Sequence, residues 1–215
     1  MKRLNAALLV TCLSLLSVFI GCSSGKQQQQ ATQPEQPAVK PQPQATEQAT
    51  GREAFQRLFV AARGWTGDAR PFRLQSITTS DSDGRGGKSA VWSAAFASPA
   101  RRVMESFSWS GSSAEGAPER GISHGTEDTW TPSNSTTQPF DISFLKSDSD
   151  KAFDTAQKHG GARILRSKAK TPVSYRLDWD AQKNQLVWHV IYGDNQNMTV
   201  IDVDATTGEY LRTEK

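Results

Sequence analysis

Residues 186–211, LVWHVIYGDNQNMTVIDVDATTGEYL, constrain the fold more than any other part of the chain. Successive side chains of a strand point to opposite faces, so Leu186, Trp188, Val190 and Tyr192 fall on one side, and Val187, His189 and Ile191 on the other. Both sides are fairly apolar. β-branched and aromatic residues fill 187–192 and 198–203, while Gly193, Asp194, Asn195, Gln196 and Asn197 between them tolerate turn dihedrals, which predicts a hairpin. On the return strand Thr199, Ile201 and Val203 form the more apolar side, and Asp202 and Asp204 the charged one. The apolar side is expected to face a helix. Asp204-Ala205-Thr206-Thr207-Gly208 then closes the ladder, with Gly208 at positive φ.

An earlier segment repeats this layout. Val91-Trp92-Ser93-Ala94-Ala95-Phe96 parallels Val187 to Tyr192, Ser98-Pro99-Ala100 takes the turn, and residues 103–107 parallel 199–203; Trp92 to Trp188 and Phe96 to Tyr192 are both displacements of 96 residues. Upstream, Phe55, Leu58, Phe59 and Ala62 make the apolar stripe of a helix over 52–63, with Gly64 placed to cap it. A second helix is predicted over 150–159 from Ala152, Phe153 and Ala156, started by Ser147 and Asp150 as a capping box and ended by Gly160-Gly161. Alternation predicts further strands over 72–77 and 174–179. The chain therefore reads as α+β, with two tandem helix-plus-antiparallel-sheet repeats at 51–110 and 147–215. The connecting segment 111–146 is long for an unstructured link, so it is expected to carry an added strand within 121–130 or a functional loop. Phe140 to Leu145 should return to the core, and Trp130 is read as a core plug ahead of an exposed anchor.

The second unit also resembles a known module. Trp188-His189-Val190, Val200-Ile201-Asp202-Val203-Asp204-Ala205, Thr207-Gly208 and Tyr210-Leu211 look like the C-terminal part of a PepSY domain, within a match over 148–212. That resemblance implies a non-catalytic module working outside the cytoplasm, which in some members is held to restrain a protease. It brings no active-site residues with it.

At the other end of the chain, residues 1–21 have a basic head, Lys2 and Arg3, and an apolar run over 6–20, shorter than the roughly 20 residues of a permanent span. This is the pattern of a signal peptide. Phe19-Ile20-Gly21-Cys22 resembles the bacterial lipobox, with Phe19 in place of the usual Leu, which implies acylation of Cys22 and a lipid anchor in the membrane. The alternatives are an uncleaved anchor or ordinary secretion with Cys22 free. Cys12 lies in the removed part, so the mature chain has no internal disulfide to rely on. Ser23 after the cysteine favours the outer membrane, facing the periplasm, by analogy with Gram-negative sorting. Residues 22–50, with four consecutive glutamines and four prolines, are too poor in large apolar side chains to fold alone and are read as a disordered tether.

Charge and chemistry narrow the functions further. Removing Lys2 and Arg3 from the formal +3 leaves about +1, so neither nucleic acid nor an anionic membrane is indicated as a partner. His124, His159 and His189 come with no H-E-x-x-H, G-x-S-x-G or cysteine nucleophile. Asp81-Ser82-Asp83-Gly84 begins like a calcium loop but lacks its distal acids and reads better as a turn. Asp202 and Asp204 read as solvated strand charge ahead of a cation pair. The expectation is a protein that is not an enzyme, with no cofactor and no metal, that binds an envelope protein or peptide through an open sheet face carrying Trp92, Trp188, His189 and Tyr192. The alternative is a structural accessory lipoprotein of the outer membrane without a discrete partner.

Overall fold

The computed structural model describes residues 45–194 and 197–214. The signal peptide at 1–21, Cys22 and the tether up to residue 44 lie outside the described residues. In chain order the elements are β1 (Ala49–Thr50), α1 (Gly51–Trp65), β2 (Arg70–Ser76), β3 (Lys88–Ser89), β4 (Val91–Ser98), β5 (Val103–Ser110), β6 (Gly121–His124), β7 (Asp128–Thr129), α2 (Ser149–Ala156), α3 (Ala162–Ser167), β8 (Val173–Asp180), β9 (Gln185–Tyr192), β10 (Thr199–Asp204) and β11 (Tyr210–Glu214).

Among the described residues nine strands form one antiparallel sheet in the order β11-β10-β9-β8-β2-β4-β5-β6, with β7 also pairing β5. The meanders β2-β4-β5 and β8-β9-β10-β11 thus lie side by side. Their seam is short, three residue pairs between β2 and β8: Arg73 with Asp178, Leu74 with Leu177 and Gln75 with Arg176. One sheet face carries the helices, and the large apolar side chains gather there, among them Phe55 and Leu58 of α1, Leu74, Trp92, Phe96, Leu177, Trp188, Val190, Tyr192, Ile201 and Val203. Ile201 and Val203 point under the helices as their alternation with Asp202 and Asp204 predicts.

Two tryptophans tie the sheet to its helices. Trp92 Nε1 donates to the Ala49 carbonyl at 3.0 Å, just ahead of α1, and Trp188 Nε1 donates to the Ser147 carbonyl at 2.9 Å, just ahead of α2. Both rings are fully buried and meet edge to face at 6.4 Å. Gly51 makes room for them, since a Cβ there would lie 2.5 Å from Trp188 Cη2.

The two helix N-termini meet in the same place. Thr50 and Glu53 form a capping box on α1, yet the Gly51 and Arg52 amides also reach across to Ser149 Oγ at 2.7 Å and Asp148 Oδ1 at 2.8 Å. Asp148 is itself the cap of α2. Two positive dipole ends face each other, and one carboxylate between them offsets the repulsion.

Several boundaries differ from expectation for local reasons. The tether does not run to residue 50: the Glu47 amide donates to the Gly111 carbonyl, and β1 pairs with β3, so Ala49 and Thr50 are buried parts of the fold. Helix α1 continues through Gly64 and ends at Thr66, whose amide donates to the Ala62 carbonyl. The second helix starts from Asp148 and not from Ser147, and Gly160-Gly161 does not end it. A π-turn over Gln157–Gly161, with Gly160 at φ 122°, bends the path and α3 follows. Gly161 is where Tyr192 presses in, because a Cβ would sit 2.2 Å from its hydroxyl. The strand expected within 121–130 exists as two short pieces, β6 and β7, both on β5. Trp130 is buried, but it plugs the helix-free face, against Phe72 and Ala97.

Candidate functional site

The helix-free face is polar along a line that crosses the whole sheet. Direct cross-strand neighbours run Ser123, Ser108, Ser93, Gln75, Arg176, His189, Asp202, Arg212, one from each strand from β6 to β11. Neighbours on one face of an antiparallel pair sit close enough to interact, so the register itself assembles this row. The connecting segment covers part of the β2-β4-β5 portion: Trp130 sits on Phe72 and Ala97, and an Arg73 guanidinium nitrogen donates to the Thr136 carbonyl at 3.1 Å.

At the centre of the second meander, His189 is held between two carboxylates. Its Nδ1 lies 2.6 Å from Asp202 Oδ1 and its Nε2 3.1 Å from Asp178 Oδ1. A neutral imidazole can donate from only one nitrogen, so this geometry suits the imidazolium. Burial works against that charge, but the hydrogen bonds to Asp178 and Asp202, together with their charges, outweigh it and raise the His189 pKa above the ordinary value. For Asp178 burial also favours the neutral form, and the bond to His189 with the charges of His189, Arg176 and Arg73 outweighs it and lowers the pKa. Arg176 Nε approaches Asp178 at 3.0 Å and Arg73 Nε at 3.7 Å. Asp202 is 1 % exposed, and Arg212 Nε of the edge strand lies 2.8 Å from its Oδ2, an ion-pair distance without hydrogen-bond alignment.

The pH dependence follows from these two directions. The raised pKa means that protonated His189 adds stability that is complete below the ordinary histidine value, about 6.5, and is lost as pH climbs through its folded value. The lowered pKa means that Asp178 adds stability that is complete above the ordinary aspartate value, about 3.9, and is lost as pH drops through its folded value. Melting temperature is therefore expected to be highest between about pH 4 and 6.5 and to fall on the alkaline side. In His189→Gln the alkaline decline should shrink, leaving only the smaller share of the exposed His124, while the variant melts below the parent at pH 5. An equal alkaline decline in both proteins would remove His189 as its source.

The residues singled out in the sequence do not share this face. Trp92, Trp188 and Tyr192 lie in the core beneath the helices, and His189 alone of the four points to the helix-free side. Wide aromatic rings lie on the covered side because they remove most area from water where helices cover them. Local sequence pattern does not single out Asp178, Arg176, Arg73 or Arg212. A signal existed: an antiparallel hairpin pairing Trp188 with Val203 necessarily puts His189 opposite Asp202.

The other histidines stand elsewhere. His124 Nδ1 lies 2.6 Å from the buried Glu105 carboxylate, and this contact, with the Gly125 carbonyl, raises its pKa. The pair borders a mainly apolar cleft of about 600 Å³ between α1 and β5-β6, walled by Ala61, Trp65, Phe107 and Ile122. His159 stacks on Tyr210 at 4.0 Å. Asp81 accepts from Thr46, Thr79 and Ser112, which holds its carboxyl below the usual range and agrees with the turn reading. Among the described residues no three His, Cys, Asp or Glu side chains are grouped to hold a metal ion.

Architecture and site together define an α+β protein with a helix-covered core face and a polar, partly open sheet face. No family model matches the chain, and no curated protein matches it. Among solved structures it is similar to a candidate lipoprotein from Clostridium difficile 630, with a TM-score of 0.52 and 12 % identity, covering 75 % of this chain and 91 % of that one. At that identity the likeness is one of fold. Among the described residues no helix is long and apolar enough to cross a membrane.

Proposed function

We propose that the protein is a lipid-anchored, non-catalytic binding or regulatory module of the bacterial cell envelope, PepSY-like in type. Cys22 carries the acyl chains, at the outer membrane with the domain facing the periplasm. The observation that carries this reading is the polar row on the helix-free face, ending at the edge strand β11, on which an envelope protein or an extended peptide can lie. The matching bonds from Trp92 and Trp188 to the carbonyls ahead of α1 and α2 support descent of the two meanders from one repeated unit. The name of the structural neighbour agrees with the lipobox at Cys22.

Mass spectrometry of the mature N-terminus is expected to find acylated Cys22, and Cys22→Ser should abolish labelling by a palmitate analogue. A mature chain beginning elsewhere ends the anchor. For the binding face, a photo-crosslinking residue at Val200, half-buried beside the polar row, should capture one discrete envelope partner, and the same probe at exposed Val60 of α1 should not. No adduct at Val200, or the same adducts from both positions, counts against a binding face.

A further inference from the structure

The small net charge conceals a segregated one. Lys158, Arg163, Arg166, Lys168 and Lys170 fall within thirteen residues, and no Asp or Glu occurs between 155 and 177. All five side chains are exposed. Elsewhere Arg57, Arg73, Arg85, Arg101, Arg176 and Arg212 each sit against a carboxylate, whereas among the described residues none of these five does.

The fold orients this charge outward. Ile164 and Leu165 of α3 pack against the core, so at 100° per residue Arg163 and Arg166 project from the opposite side. Lys168 and Lys170 follow on the turn that leads into β8. Favourable helix C-termini explain Lys158, at the end of the α2 path, and Arg166 and Lys168, but not Arg163 or Lys170. Apolar groups adjoin the cations at both ends. Tyr210, 37 % exposed, stacks on His159 beside Lys158, and Met198, 48 % exposed, lines the cleft that Lys168 and Lys170 also line, together with a single carboxylate, Asp194. Unpaired cations with exposed aromatic and aliphatic side chains next to them are what a protein needs to rest on an anionic bilayer.

We infer that the α3 surface, from Lys158 to Lys170, is a docking face for anionic phospholipid headgroups, which lays the domain against the membrane instead of leaving it free at the end of its tether. The anionic bilayer follows from charge complementarity. That a membrane stands within reach rests on the proposed anchor at Cys22. Each cation is expected to contribute about fivefold in vesicle affinity at low salt.

The test removes the anchor so that the two ideas fail separately. The chain from residue 22, carrying Cys22→Ser, is sedimented with vesicles of phosphatidylcholine alone or mixed with an equal part of phosphatidylglycerol. Binding to the anionic vesicles alone, weakening as salt rises, is expected. Arg163→Gln/Arg166→Gln/Lys168→Gln/Lys170→Gln should weaken it at least about a hundredfold. A control with the same charge removed elsewhere, Arg63→Gln/Arg70→Gln/Lys88→Gln/Lys183→Gln, should keep it largely intact. Circular dichroism checks that both variants fold. No preference for phosphatidylglycerol, an equal loss in the control, or binding to a soluble polyanion such as heparin but not to vesicles overturns the docking face. None of those outcomes bears on acylation of Cys22, which the mass of the mature N-terminus decides by itself.

Discussion

Alanine at position 87 is expected to destabilise the fold by about 4 kcal/mol, while alanine at position 86 should cost about 1 kcal/mol. Both glycines have positive φ, 66° at Gly86 and 75° at Gly87, so both pay the left-handed penalty. The difference is space. A Cβ on Gly86 meets nothing within 4 Å, whereas one on Gly87 would lie 2.2 Å from the Asp150 amide nitrogen and Cα. Those are backbone atoms of α2, with no flexible side-chain end to swing aside. The contact is also tied by hydrogen bonds, because Ser149 Oγ donates to the Gly87 carbonyl at 2.6 Å and accepts from the Gly51 amide, and the Gly87 amide donates to the Tyr175 hydroxyl at 3.2 Å. Pushing α2 away from Gly87 therefore loosens α1 and β8 as well. Urea unfolding of the two variants measures the difference, and equal midpoints would show that the close approach at Gly87 is not made.

Trp188→Ala is expected to cost about 4 kcal/mol, in the middle of the range for a buried aromatic side chain. The ring has no exposed surface, touches Trp92, and lies where even one added carbon on Gly51 would collide with it, so the void left behind has rigid walls. Trp188→Phe keeps most of the apolar volume but leaves the Ser147 carbonyl without its donor, for an expected loss of about 1–2 kcal/mol. Trp92→Ala should behave alike. Since the two rings are in contact, the double alanine variant should lose less than the two single losses added together. If Trp188→Ala unfolds within experimental error of the parent in urea, the ring is not the anchor described.

Much of this architecture was readable from local pattern. The strands at 174–179, 187–192 and 199–203, the turn at Gly208 and the inward side of Ile201 and Val203 follow from alternation and turn chemistry, which act over a few residues. The helix limits were less legible because their causes lie far away in sequence. Gly160-Gly161 looked like a stop, yet Gly161 is small to admit Tyr192, and Asp148 serves as a cap partly because α1 arrives beside it. For the site, His189 was marked without its partners. Its link to Asp202 lies in the hairpin register, but its link to Asp178 needs the β8-β9 pairing, and the approach of Arg73 needs the seam with β2. Trp92, Trp188 and Tyr192 lie on the covered face and not the open one, which alternation alone does not decide, because it divides a strand into two sides without saying which one the helices will cover.

The three-pair seam between β2 and β8 carries a mechanical meaning. Along it Leu74 and Leu177 are gripped beneath the helices, while Arg73 with Asp178 and Gln75 with Arg176 are joined on the wetter side. With only three rungs at the waist, the two wings are held together chiefly by what crosses above it, Trp92 against Trp188 and Tyr175 and the shared caps of α1 and α2. Removing those contacts should therefore let the wings part along this line.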